Sequence, residues 1–337
     1  MVGIIANPSS GKDIRRLVAQ GTVFDNMEKV NIIQRILVVL HYSGVKDIWM
    51  MPDSFHIMDK AVGYLQRDQK LCVDVKELEF DYNYDQTDSM KAGALLREMG
   101  ASCIVTLGGD GTNRAVAKCS GDVPLLPLST GTNNVFPVML EGSVAGLAAA
   151  VADRDRGREC LKLRQCKRVN IYKNGELIDI ALIDAVITDD LFVGSRALWD
   201  PASIKEIFVT AAKPDSIGIS AIAGSFHPMS GEAPGGLYIK VGEKSRLRTW
   251  AAIAPGLMRC VPIQDFGEVG FGKRIRVRTR CGMIALDGER EVVFGEKDRV
   301  EIEFAEDGPW VIDVHATLNA AAKKGLFLDK EVGVEVV

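Results

Sequence analysis

The sequence has few of the features that mark proteins of membranes, nucleic acids or oxidising compartments. Its 337 residues include no block of five or six basic residues, and the formal net charge is −4. Charge therefore gives no indication of a nucleic-acid or anionic-membrane partner. Polar residues such as Arg35, His41 and Asp47 break the longest apolar runs, which leaves none long enough to span a bilayer. We expect no nucleic-acid partner and no stable membrane association.

The cysteines lack the spacing of a zinc site or of a disulfide framework. Seven are scattered along the chain, mostly within apolar runs, and none forms a Cys-x-x-Cys pair. An odd number of such thiols favours a reducing compartment. The opening residues, Met1 to Ala6, show neither the basic segment nor the cleavage site of a secretory signal. We therefore expect a cytoplasmic protein.

Two familiar phosphate-binding motifs are missing as well. The segment from Asn7 to Lys12 resembles a P-loop, but Ala6 stands where the first glycine belongs and Asp13 where Ser or Thr belongs. No Gly-x-Gly-x-x-Gly follows a predicted strand, so a dinucleotide site of the Rossmann type has no support. Asn7 either contacts a ribose or phosphate or only shapes the turn after the first strand.

The most informative motif that is present is Gly108-Gly109-Asp110-Gly111-Thr112. It follows the apolar run Cys103–Leu107, which predicts a buried strand, and it precedes the start of a predicted helix. Glycines let a backbone approach a ligand closely and adopt a positive φ where needed. A helix start offers unpaired N–H groups to an anion, and Asp110 is placed beside such an anion and its metal. The motif indicates phosphate chemistry.

The order of the predicted elements indicates two domains. Strands and helices alternate over the first ~140 residues, which predicts a parallel sheet with helices on both faces. The glycine motif and a second loop, residues 129–134, would both lie at its carboxyl edge, where such sheets bind ligands. Short strands and glycine turns, among them the Asn174-Gly175 hairpin, predict a mostly antiparallel second half. We predict an α/β domain over residues 1–141, a mostly β domain over 142–314, and a tail, 315–337, that returns to the first domain.

These segments resemble the NAD kinase and diacylglycerol-kinase-like superfamily. The resemblance rests on the glycine motif, on the opening residues Gly3 to Pro8 and on the strand-rich second half, and it covers essentially the whole chain. Within the superfamily, residues 7–16 and 129–137 are most similar to the acetoin catabolism protein X subgroup. The resemblance implies an NAD kinase-like fold, with a parallel α/β N-terminal domain and an all-β C-terminal domain. It also implies a kinase that uses ATP, or another phosphate donor, with Mg²⁺.

The resemblance further implies roles for individual residues. Asp110 would be the base toward the acceptor hydroxyl. Asp184 would contact the nucleotide acceptor, although Ile183 replaces the asparagine expected before it. The segment Leu286 to Glu289 is similar to a lipid-kinase segment that carries the proposed base, so Asp287 and Glu289 form either a second catalytic pair or a polar hairpin turn. The nucleotide-binding residues would be Asn7, Gly108, Gly109, Gly111, Thr112, Gly131, Thr132, Asn133, Asn134 and Asp184.

Three functions remain open on this basis. The first is ATP-dependent phosphorylation of a hydroxyl group of NAD, which yields NADP, or of a related small molecule. The second is phosphorylation of a lipid or another small alcohol with Glu289 as base. The third is a nucleotide-binding regulator of acetoin catabolism without turnover, because Ile183 and Ala223 each lack a polar group that NAD kinases carry. The expected partner is a small-molecule nucleotide, and superfamily members often form homo-oligomers, so we expect a homodimer or homotetramer.

Overall fold

The computed structural model describes residues 1–11, 24–68, 71–131, 134–155, 159–190 and 201–328. It contains an α/β domain and a β domain, as the sequence predicts. The helices are α1 Asn26–Tyr42, α2 Ile57–Asp68, α3 Gln86–Glu98, α4 Asp110–Ala117, α5 Gly142–Arg154, α6 Ser220–Phe226 and α7 Val314–Lys323. The strands are β1 Val2–Ala6, β2 Ile48–Met50, β3 Lys76–Glu77, β4 Cys103–Gly108, β5 Leu125–Ser129, β6 Leu163–Gln165, β7 Arg168–Lys173, β8 Glu176–Ala181, β9 Asp184–Thr188, β10 Ile204–Val209, β11 Gly236–Val241, β12 Arg248–Ala254, β13 Leu257–Val269, β14 Ile275–Arg276, β15 Gly282–Leu286, β16 Glu289–Phe294, β17 Val300–Ala305 and β18 Trp310–Ile312.

The first sheet has the strand order β3-β2-β1-β4-β5-β18-β6. Its strands run parallel from β3 to β18, and β6 closes the edge antiparallel to β18. Helices α1, α2 and α5 pack on one face, and α3 and α4 pack on the other. Because both faces are covered, β1 and the apolar part of β4 are continuous hydrophobic runs rather than alternating ones.

The second domain has two antiparallel sheets, with strand orders β12-β13-β11-β10-β9-β15-β16 and β14-β17-β7-β8. An apolar layer between them includes Phe208, Ile302 and Phe304, which are fully buried. The other face of the larger sheet packs against α6. The hairpin between β7 and β8 turns at Asn174 and Gly175, whose φ angles are 56° and 91°. Those positive angles are what the Asn-Gly motif predicts.

Four elements beyond residue 141 lie with the first domain. Helix α5 packs on α1, β6 and β18 complete the first sheet, and α7 contacts α5. The second domain is therefore an insertion between β6 and β18, whereas the sequence-based division at residue 142 followed chain order. The chain segments that follow β6 and precede β18 connect the two domains, and they lie side by side. Cys166 N donates to Pro309 O, and Gly308 N donates to Cys166 O, each at 3.0 Å. The tail beyond residue 328 lies outside the described residues.

Among the helices of the described residues, none has the length and apolar character that crossing a membrane requires.

Lys167 is buried where the chain enters the second domain. Its Nζ donates to the carbonyl oxygens of Ala233 at 2.9 Å and Gly235 at 2.8 Å. Burial lowers the pKa of this ammonium group to about 8, because the charged form loses its hydration. The folded state therefore releases this proton at a lower pH than the unfolded chain does.

We expect Lys167 to make the stability of the protein rise with pH in the alkaline range. Between about pH 8 and 10.5 the unfolded chain holds this proton and the folded chain does not, so the free energy of unfolding increases. Relative to Lys167→Met, the wild type should gain on the order of 2 kcal/mol between pH 7 and 10, measured by urea denaturation. Lys297→Met, at an exposed lysine of the same domain, is the control. An equal pH dependence of both variants would contradict the assignment.

Candidate functional site

Three neighbouring strands, β1, β4 and β5, end at the same edge of the first sheet. The loop after β1 is tied to β4 because Asn7 N donates to Leu107 O at 2.9 Å, and the loop after β5 is tied to it because Thr130 N donates to Gly108 O at 3.1 Å. We call these segments the first loop (residues 7–11), the glycine loop (108–112) and the third loop (129–134). Two residues of the third loop that the sequence predicts to bind nucleotide, Thr132 and Asn133, lie outside the described residues.

In the glycine loop, the close approach of neighbouring side chains favours glycine at positions 108 and 109, and no backbone angle requires it. Gly109 has a φ of −101°, and neither Gly108 nor Gly111 adopts a positive φ. A Cβ atom on Gly108 would lie 2.4 Å from Thr112 Cβ, and one on Gly109 would lie 2.9 Å from Asn134 Oδ1. The sequence argument allowed for positive φ angles here. The structure instead uses the missing side chains to bring the loops together.

Side-chain hydrogen bonds join the three loops. Asn7 Nδ2 donates to Thr112 Oγ1 at 2.8 Å, which links the first loop to the glycine loop. The hydroxyl groups of Ser10 and Thr130 are 2.8 Å apart, which links the first loop to the third. Asn134 Nδ2 donates to Ser129 Oγ at 2.7 Å within the third loop. The predicted binding residues Asn7, Thr112 and Asn134 therefore also build the edge on which a ligand would rest.

Lys29 of α1, which the sequence analysis missed, supports the first loop from beneath. It is fully buried, and its Nζ donates to Asn7 O at 2.8 Å and to Ser10 O at 2.9 Å. Asn26 Oδ1, one helical turn earlier, accepts a third bond at 2.9 Å. The sequence signal was a lysine on a helix face that is mostly apolar. A lysine buried at such a position needs several hydrogen-bond partners, so it indicates a polar contact made by the helix.

Asp110 is the first residue of α4 and is almost fully buried. Its Oδ1 accepts hydrogen bonds from Val135 N at 3.1 Å and Phe136 N at 2.8 Å, and its Oδ2 also lies 3.1 Å from Val135 N. The carboxylate thus holds the chain just after the third loop against the start of α4. An acid that the sequence assigns to catalysis has in this structure a loop-fixing role as well.

Glu289 comes from the second domain and lies over the glycine loop. A Cβ atom built on Gly111 would be 3.4 Å from the carboxyl carbon of Glu289 and 3.4 to 3.5 Å from its two oxygens. Glu289 begins β16, immediately after the turn Asp287-Gly288, whose φ angles are 50° and 83°. The hairpin between β15 and β16 therefore brings an acidic side chain from the second domain to the glycine loop of the first.

Asp287, two residues earlier, is directed into the second domain instead. Its Oδ1 accepts hydrogen bonds from the main-chain N–H groups of Leu182, Ile183 and Asp184 at 2.7 to 3.2 Å. Burial raises the pKa of the Asp287 carboxyl, although Arg114 and these N–H groups oppose the rise. Asp287 therefore closes the turn between β8 and β9. The two acids that the sequence analysis paired lie in different places: Asp287 is inside the second domain, and Glu289 is at the glycine loop.

Arg114 is the most important residue that the sequence analysis missed. This side chain of α4 is fully buried, and its guanidinium nitrogens lie 3.0 Å from Glu291 Oε1, 3.4 Å from Asp179 Oδ1 and 3.6 Å from Asp287 Oδ2. Burial alone would lower the pKa of Arg114, but the carboxylates of Asp287, Asp179 and Glu291 raise it above its usual value. The available signal was a charged residue among the small and apolar residues at the end of the motif's helix.

Asp184, predicted to contact a nucleotide, opens β9 beside Asp287. It is buried, and its carbonyl oxygen accepts a hydrogen bond from Asp287 N at 2.9 Å. Ile183 precedes it, also buried, and its carbonyl oxygen accepts from Thr210 N at 2.9 Å. Asp184 is therefore fixed to the hairpin that carries Glu289, and Ile183 is also fixed to the residue after β10.

We expect the bond between Asn7 and Thr112 to couple the first loop to the glycine loop energetically. Asn7→Ala and Thr112→Val should each lower the free energy of unfolding, and the double variant should lose less than the sum of the two. The coupling should be about 1 kcal/mol, the usual size for such a hydrogen bond, measured by chemical denaturation. Additive losses would contradict the coupling. The pair Asn7→Ala and Thr249→Val, on separate domains, is the control and should be additive.

Comparisons with known proteins agree with this architecture. Residues 2–156 match the model of the ATP-NAD kinase N-terminal domain, and residues 167–307 match that of the acetoin catabolism protein X C-terminal domain. The chain is 37% identical to acetoin catabolism protein X of Cupriavidus necator over 337 aligned residues. This alignment covers 97% of this chain and 93% of that protein. A yeast NADH kinase, crystallised with NADH, has a similar fold, with a TM-score of 0.50 and 12% identity over 100% of this chain and 89% of that one. The chain belongs to the acetoin catabolism protein X family, and its fold is that of the NAD kinases.

Proposed function

We propose that the chain is a phosphotransferase that moves the terminal phosphoryl group of ATP to a hydroxyl group of a small molecule. One observation carries the proposal: the carboxylate of Glu289, from the second domain, lies against Gly111 of the glycine loop. An acid is thereby placed next to a helix start that favours anions. Phosphoryl transfer to a hydroxyl needs that pairing of an anion site with a proton acceptor.

The phosphates of ATP would bind over the glycine loop and the start of α4. The N–H groups of the first helical turn and the helix dipole favour negative charge there. Within the described parts of the chain, no group of three or more His, Cys, Asp or Glu residues is placed to hold a metal ion. This fits Mg²⁺ as kinases use it, bound mostly by donor phosphates and water with few protein ligands, and Asp110 is the acid that we place beside it. When bound, Mg²⁺ would neutralise charge on the transferring phosphoryl group.

We assign the role of base to Glu289 rather than to Asp110. The Asp110 carboxylate faces the main-chain N–H groups of Val135 and Phe136 and so fixes the chain after the third loop, whereas the Glu289 carboxylate lies against Gly111 from the other domain. Glu289 would accept the proton of the acceptor hydroxyl while that oxygen bonds to the γ-phosphorus. The bond between this phosphorus and the bridging oxygen would break, and ADP would leave.

The acceptor would be a small hydroxyl compound, of which NAD is the first to test. The resemblance implies an asparagine that contacts the ribose diol of NAD, but the side chain of Ile183 has no hydrogen-bonding group. Its main-chain N–H is also held by Asp287 Oδ1, at 2.7 Å. NAD would therefore lose one expected contact, which favours a smaller acceptor.

Transfer of labelled γ-phosphate from ATP tests the proposal directly. The acceptor panel is NAD, NADH and acetoin, after the relatives, and diacylglycerol, after the lipid-kinase resemblance of residues 286–289. A phosphorylated product with any of them supports a kinase and names its acceptor class. Binding of ATP by calorimetry without transfer to any member of the panel would favour a nucleotide-binding regulator instead.

We expect Glu289→Gln and Asp110→Asn to have different kinetic effects. Glu289→Gln should lower kcat by about 10²- to 10⁴-fold, as loss of a positioned base does, and leave the KM for ATP within a few-fold. Asp110→Asn should mainly raise the KM for ATP and lower the melting temperature, because it frees the chain after the third loop. Glu296→Gln, at an exposed acid in the turn after β16, should leave kcat unchanged. If Asp110→Asn alone abolished kcat in a protein of wild-type stability, Asp110 would be the base.

A further inference from the structure

We propose that Arg114 is the positioning residue of this site: it holds the Glu289 carboxylate of the second domain in register with the glycine loop of the first. The role of Glu289 in this inference rests on the proposed function. The link between the two domains rests on contacts alone.

The partners of Arg114 surround Glu289 in the hairpin. Asp287 is two residues before Glu289 and Glu291 is two residues after it, and both carboxylates contact the guanidinium, at 3.6 and 3.0 Å. Asp179, on β8 of the smaller sheet, is the third partner at 3.4 Å. Both ends of the segment that carries Glu289 are therefore fixed to one side chain of the first domain.

A β-bulge directs Glu291 to this contact. Ala285 pairs with residue 290 and Ile284 pairs with Val292, so Glu291 is the extra residue of strand β16. Bulges change the direction of a side chain and are common beside active sites. The irregular register at this position is accounted for by the salt bridge to Arg114.

Arg114 also lies on the same helix as the residues of the glycine loop to which we assign anion binding. It lies four residues after Asp110 and three after Gly111 in α4, which is about one helical turn. Its donors are spread over a rigid planar fork, whereas the donors of a lysine share one nitrogen on a flexible stem. The geometry of the guanidinium thus fixes Glu289 relative to the helix start.

Stability alone does not explain this arrangement. One fully buried cation faces three carboxylates of low exposure, and a second cation, Lys118, contacts only Asp179 among them. Removing buried charges from water is costly, and well-packed neutral side chains are often as stable as buried ion networks. We infer that the network is retained for the position that it gives to Glu289.

The test separates position from stability with two variants. In Arg114→Lys the charge remains but the fork is lost, so kcat should fall at least 10-fold while the KM for ATP stays within about 3-fold. The triple variant Arg114→Met/Asp179→Asn/Glu291→Gln removes the cation and two of its three carboxylate partners, while the third, Asp287, keeps its main-chain N–H donors. It should recover part of the melting temperature that Arg114→Met loses. Its kcat should remain at least 10-fold below that of the wild type. Recovery of kcat together with stability would overturn the inference.

Hydrogen exchange followed by mass spectrometry gives a readout that does not depend on activity. In the triple variant, amides of residues 286–291 should exchange at least 10-fold faster than in the wild type, while those of β10 and β11 should not change. Arg35→Met is the matched control, because Arg35 also bridges two carboxylates, Glu28 and Glu141, but lies away from the glycine loop. Unchanged exchange in the triple variant would refute the positioning role. Absence of phosphoryl transfer in the wild type would instead refute the proposed function.

Discussion

The guanidinium of Arg114 is the contact on which the geometry of the candidate site depends. It lies on the helix that begins with Asp110 and Gly111, and all three of its carboxylate partners belong to the other domain. Separating a buried cation from such partners costs much free energy, because it leaves unpaired charges in a place that water does not reach. The start of α4 and the hairpin that carries Glu289 are consequently held together, although about 180 residues of sequence separate them.

In the β15–β16 hairpin, a tight turn directs two nearby acidic side chains into different surroundings. In a regular strand, Asp287 and Glu289 would lie on the same face, because side chains alternate with a period of two. The positive φ angles of Asp287 and Gly288 interrupt this alternation. Asp287 then turns inward to three main-chain N–H groups of the turn before β9, and Glu289 projects across the domain boundary to Gly111. Asp287 thus supports the turn before β9, and Glu289 faces the glycine loop.

The sequence predicted those parts of the structure that depend on local pattern. The apolar runs of β1, β4 and β5, the glycine loop at their carboxyl edge and the Asn174-Gly175 hairpin all follow from composition and turn chemistry. The roles of Arg114 and Lys29 did not, because each depends on partners from other parts of the chain. The boundary at residue 142 differed from the packing for the same reason. Strands β6 and β18 join the first sheet, and helix α5 packs against this domain. These contacts are long-range, so the local hydrophobic pattern does not predict them.

The path of the chain and the ion pairs at the end of α4 attach the second domain to the first at two places. That domain leaves and re-enters the first sheet through β6 and β18, and hydrogen bonds between Cys166 and residues 308–309 hold the two connections side by side. The ion pairs of α4 lie elsewhere on the boundary: Arg114 contacts acids from both β8 and the β15–β16 hairpin, and Lys118 contacts Asp179 as well. The position of Glu289 over the glycine loop is therefore supported by paired backbone connections and by a group of buried charges.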